Sequence, residues 1–74
     1  MDFPLYRKYP NNKSYFKVLS ANSFEEVQIL GKHKVTTHFE AKIHPDRVMI
    51  QDMIAAEGNW VVIDEAEYKS MRDG

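Results

Sequence analysis

From Val35 to Ile43 apolar or small residues recur at every second position, as Val35, Thr37, Phe39, Ala41 and Ile43, with Thr36, His38, Glu40 and Lys42 between them. A period of two describes a strand with one covered face and one wet face. Pro45 holds His44 toward extended geometry and offers the fixed φ suited to a first helical position, and Asp46 stands where the helix dipole favours an anion. The pattern then changes period. Met49, Ile50, Met53, Ile54 and Ala56 fall on one arc of a helical wheel, with Gln51 and Asp52 opposite, so the spacing predicts an amphipathic helix over Pro45 to Glu57. Gly58 stands where a left-handed residue closes such a helix. The nearest cover for its apolar arc is the inward face of the strand before it.

The same reading covers the rest of the chain. Phe3 to Tyr9 and Lys13 to Ser20 are predicted strands, joined by Pro10, Asn11 and Asn12, which carry turn chemistry. Ser23 to Leu30 admits two readings. Ser23 with Glu26 matches a capping box, whereas Val27 and Ile29 alternate in a β-rich stretch with short connections on both sides; the strand is preferred. Gly31 to Lys34 becomes the turn into the alternating strand. Trp60 to Ile63 is too short an apolar run for a helix and suits a strand. Asp64 caps a last helix, with Glu67 completing a capping box, Ile63 and Tyr68 at the positions of a hydrophobic staple, and Met71 extending the stripe; Arg72 to Gly74 is expected to fray.

These elements specify a single small α+β domain over residues 1–74: a small antiparallel sheet, made of a four-strand meander and a short strand, with one main helix packed on one face and a short C-terminal helix.

Composition narrows the function. A core of 74 residues leaves little surplus stability for a strained catalytic site, which favours a simple binder. The absence of cysteine excludes disulfides, thiolate metal sites and cysteine nucleophiles, and agrees with a cytoplasmic setting. Met1 to Asn12 has no continuous apolar run and no stretch reaches roughly eighteen apolar residues, so neither a signal peptide nor a spanning helix is expected, and no membrane partner.

The net charge of −1 is unevenly spread. Residues 1 to 20 carry Arg7, Lys8, Lys13 and Lys17 against Asp2, a balance of +3, and residues 45 to 74 carry seven acids against Arg47, Lys69 and Arg72, a balance of −4. Opposite patches of this kind suit a weak homodimer in which Lys8, Lys13 and Lys17 of one copy meet Asp64, Glu65 and Glu67 of another.

The candidate chemistry is sparse. His33, His38 and His44 with Glu40, Asp46 and Asp52 offer nitrogen and oxygen ligands, and His38 and Glu40 share a strand face, yet the spacing matches no zinc pattern; no metal or other cofactor is expected. The serines at 14, 20, 23 and 70 lie in turn or terminal contexts without a nucleophile elbow, and the three glycines are too scattered for a phosphate loop, so no catalytic residues are assigned. Tyr6, Lys8, Tyr15 and Lys17 would share the sheet face opposite the main helix, where rings beside cations suit single-stranded nucleic acid; no RNP-type motif accompanies them. Trp60 is a core anchor or, if exposed, a hot spot for a protein partner together with Asp64, Glu65 and Glu67. The expectation is a small non-catalytic cytoplasmic interaction or regulatory module. The alternative is a single-stranded nucleic-acid binder using the aromatic and basic face.

Overall fold

The computed structural model describes residues 3–73. Asp2 of the charge balance and Gly74 of the expected fray lie outside the described residues. The chain forms strands β1 (Leu5–Lys8), β2 (Ser14–Ser20), β3 (Ser23–Leu30) and β4 (His33–Glu40), helix α1 (His44–Ala55), strand β5 (Val61–Val62) and helix α2 (Glu65–Asp73). All strand pairs are antiparallel, and the order across the sheet is β4-β3-β2-β1-β5. The α+β class and the strand reading of Ser23 to Leu30 both hold.

Local chemistry explains the connections. Between β1 and β2 the Asn12 N–H donates to the Tyr9 carbonyl at 3.1 Å, and the Lys13 N–H donates to Asn11 Oδ1 at 2.9 Å. Asn12 takes a φ of 60°, a conformation that asparagine tolerates better than most residues. Between β3 and β4 the turn is shorter than Gly31 to Lys34. Leu30 pairs with His33, Gly31 takes a φ of 62°, and β4 starts at His33. That strand also stops at Glu40, short of Ile43, because the Asp46 carboxylate accepts the N–H groups of Lys42 (3.1 Å) and Ile43 (3.4 Å) and turns the chain into α1.

Helix α1 therefore begins at His44, with Pro45 just inside it, and ends earlier than Glu57. The Ala56 N–H donates to the Met53 carbonyl (3.1 Å) and the Glu57 N–H to the Asp52 carbonyl (3.0 Å), the two bonds of a Schellman end. The left-handed residue closing the helix is thus Ala56, at φ 55°, while Gly58 takes a φ of 73° in the loop beyond.

The sheet is covered on both faces. Phe16, Val18 and Phe24 point to one side, where they bury Ile50 and Met53 of α1; Phe39, Ala41, Met49, Ile54 and Trp60 pack around them. Tyr6, Tyr15 and Val27 point to the other side and bury Tyr68 of α2, with Ile29, Ile63 and Met71 alongside. Burial of apolar side chains such as Ile50 and Met53 contributes about 1.5–3 kcal/mol each. Helix α1 sits over the central strands, so the expected cover of β4 is only partial: Phe39 and Ala41 join the cluster, and Val35 and Thr37 stay exposed.

Candidate functional site

Of the four residues expected on an open aromatic and basic face, Tyr6, Lys8 and Tyr15 lie under α2. Tyr6 and Tyr15 are 8% and 4% exposed. The Tyr6 ring packs on Tyr68 with centroids 5.4 Å apart, and its hydroxyl donates to Glu65 Oε2 at 3.0 Å. Lys8 stands over the Tyr15 ring at 5.9 Å, and its Nζ donates to Glu67 Oε2 at 2.9 Å. Of the four, only Lys17 makes no contact of this kind with α2, and it stands across from Glu25 on the same face. The four do share the face opposite α1, as the spacing predicts, but α2, to which the sequence assigns no face, covers it. Period two shows that two rings share a side but not what covers them. The stripe of Tyr68 and Met71 was the signal that the last helix needs an apolar floor.

The acidic residues expected at a partner surface are engaged within the chain. Asp64 Oδ1 accepts the Glu67 N–H at 2.8 Å and so caps α2. Glu65 takes the Tyr6 hydroxyl and lies 3.6 Å from Lys69 Nζ, and Glu67 holds Lys8. The basic N-terminal and acidic C-terminal segments thus meet inside one molecule at Lys8 and Glu67. Trp60 stacks on Tyr9 with centroids 4.8 Å apart and meets Phe16 edge-on at 5.0 Å, which places it in the rim of the α1 core.

Sequence reading missed the polar groups that tie the layers together. Arg7, on the α1 face of β1, is buried; it donates from Nε to the Met53 carbonyl (2.7 Å), from Nη2 to the Ile54 carbonyl (3.1 Å) and from Nη1 to the Tyr6 carbonyl (2.8 Å). A guanidinium there satisfies carbonyls of the last turn of α1 and meets the negative end of its dipole. Burial lowers its pKa from the usual value. On the other face Tyr68 donates to Glu25 Oε1 at 2.7 Å, and Arg72 Nη1 lies 3.8 Å from the same oxygen. Burial first, then the bond to Glu25, raises the pKa of Tyr68 far above that of a free phenol; burial and Glu65 raise that of Tyr6. Among the described residues no buried side-chain nitrogen or oxygen lacks a partner.

The described residues form no pocket and no cluster of three metal-ligating side chains. His38 Nε2 and Glu40 Oε1 do lie together on one face, at 3.4 Å, in an exposed position.

What remains open is an edge. The sheet ends on one side in β5, two residues long, and on the other in β4, eight residues long and exposed except at Phe39. The Ala41 N–H donates to the Asn22 carbonyl at 2.7 Å, and the pairing of β4 with β3 is unbroken from Ser23↔Glu40 to Leu30↔His33. Backbone direction alternates along an antiparallel strand, so His33, Val35, Thr37 and Phe39 bond to β3. Lys34, Thr36, His38 and Glu40 direct their N–H and C=O groups away from the sheet. No proline or bulge interrupts this row, although such devices commonly guard edges.

Compared with protein-family models, curated proteins and solved structures, the chain gives no significant match. No helix among the described residues is long and apolar enough to cross a membrane.

Proposed function

We propose that the protein is a small non-catalytic interaction module of the cytoplasm that engages an extended protein segment along the outer edge of β4. The observation that carries this reading is the asymmetry of the two edges. One is too short to template another strand, and the other presents four consecutive outward backbone pairs on a regular eight-residue strand. An added strand gains backbone hydrogen bonds there, while side chains alternating across the two faces supply selectivity. Satisfied internal polar groups leave the tyrosine, lysine and glutamate residues under α2 in a structural role, and the lack of cysteine suits a reducing compartment.

The test uses an extended valine and threonine peptide of the length of β4, titrated into isotope-labelled protein. The amides of Lys34, Thr36, His38 and Glu40 are expected to shift and to gain protection from hydrogen exchange. Shifts confined to other elements, or no protection of these four amides at saturating peptide, would overturn the assignment.

A further inference from the structure

We infer that the segment seated on the β4 edge is β4 of a second copy, giving a symmetric dimer with one continuous sheet. The inference rests on the reading of β4 as the interaction edge and adds the identity of the partner.

Backbone direction limits the registers. Because Lys34, Thr36, His38 and Glu40 are the outward residues, an antiparallel partner strand must match even positions with even positions. Residues opposed in such a pair point to the same side, so the two α1 helices lie on one face of the joined sheet and the twofold axis stands perpendicular to it.

Within that limit one register is complementary. With the axis at Thr37, Thr36 of each copy exchanges its backbone bonds with His38 of the other, and Lys34 exchanges with Glu40. Lysine then faces glutamate at both ends of the ladder. On the α1 face Val35 stands across from Phe39 of the second copy, and Thr37 meets Thr37. Opposite charges, an aromatic with a β-branched residue, and a threonine pair are all favourable cross-strand neighbours.

Moving the strand by two residues loses this. With the axis at Thr36, Lys34 faces His38 and Val35 faces Thr37; with the axis at His38, the histidines oppose each other and Glu40 faces Thr36. The Thr37 register also covers apolar surface that the monomer leaves wet, since Val35 is 44% exposed in the single chain. Lys34 also keeps a role inside the monomer: the hydrogen bond from Arg72 holds the Asp73 carboxyl below its usual range, and the charge of Lys34 adds to that effect.

The experiment is sedimentation of the full chain over a concentration series at low and moderate salt. The mass is expected to rise from that of one chain toward twice that value. Thr36→Pro removes an N–H that only the second copy uses, and it should hold the protein monomeric; Thr37→Arg, which sets like charges across the axis, serves the same end if the proline variant fails to fold by circular dichroism.

Lys34→Glu and Glu40→Lys should each weaken the dimer about tenfold, through two repulsive pairs apiece. Mixing the two variants should restore association, because each copy then faces the opposite charge at both ends. A constant monomer mass for the wild type overturns the dimer. So does a dimer indifferent to both the Thr36 and the Thr37 changes, or a mixture no tighter than its components. Protection of the β4 amides by the valine and threonine peptide in a chain that stays monomeric would sink the dimer and leave the interaction edge standing; absence of both would remove the two readings together.

Discussion

Arg7 on β1 reaches the last turn of α1, where its Nε donates to the Met53 carbonyl at 2.7 Å. The contact joins residues far apart in sequence and fixes the end of the helix to the sheet. Its Nη2 bond to Ile54 makes the attachment two-pronged, a geometry that a single ammonium cannot copy.

Arg7→Ala should therefore destabilise by about 1.5–3 kcal/mol, since a charged donor is lost and helix carbonyls are left without it. Arg7→Lys should recover less than half of that. Urea denaturation of the three proteins measures both effects, and an unchanged midpoint for Arg7→Ala would show that water replaces the guanidinium at no cost.

The sequence concealed this residue for a physical reason. Arginine among other charges near a chain start reads as surface, because charged side chains are seldom fully buried. Its neighbours were more legible. Strand period two is visible in Val35, Thr37 and Phe39, and again in Val27 and Ile29; the cap of α2 follows from Asp64, whose carboxylate does take the Glu67 N–H. A periodic pattern says that a face is apolar without saying what lies on it. Hence α1 was matched to the strand nearest in sequence, whereas Ile50 and Met53 sit over β2 and β3. Strand order was equally hidden: pairing of β5 with β1 leaves β4 outermost, and no residue of β4 announces that. The open edge is a property of topology, not of composition.

The placement of α1 gives a graded prediction. Ile50→Ala should cost about 2–5 kcal/mol, because its side chain is fully buried between the helix and the central strands. Val35→Ala, on the same face of the sheet but beyond the helix, should change monomer stability by less than about 0.5 kcal/mol. Equal losses for the two would mean that α1 covers β4 after all. The comparison needs dilute protein, where association does not contribute.

Two positions after α1 test backbone conformation apart from packing. Ala56 holds a φ of 55°, which penalises a residue with a Cβ, so Ala56→Gly should stabilise by about 0.5–1 kcal/mol once the looser unfolded chain is allowed for. Gly58→Ala should destabilise by about 1–2 kcal/mol at φ 73°, although nothing lies within 4 Å of the added Cβ. Thermal melts that moved the same way in both variants would contradict the assigned loop geometry.

Alkali acts on the buried phenols of Tyr68 and Tyr6, where α2 meets the sheet. Tyr68 is fully buried and donates to Glu25 Oε1, and both facts favour its neutral form; Tyr6 is held in the same way by burial and Glu65. The folded state thus keeps these protons to a higher pH than the unfolded chain, whose phenols ionise near 10. Where the native state binds more protons, stability falls as pH rises. It should be level with respect to these groups below about pH 9, then decline steadily above about pH 10. Tyr68→Phe should lose about 0.5–1.5 kcal/mol at neutral pH with the hydrogen bond, yet show a shallower decline in alkali. Urea midpoints measured across that range, alongside tyrosinate absorbance, decide the matter. A wild-type slope no steeper than that of Tyr68→Phe would mean that Tyr68 ionises freely in the folded chain, and that α2 does not hold it against Glu25.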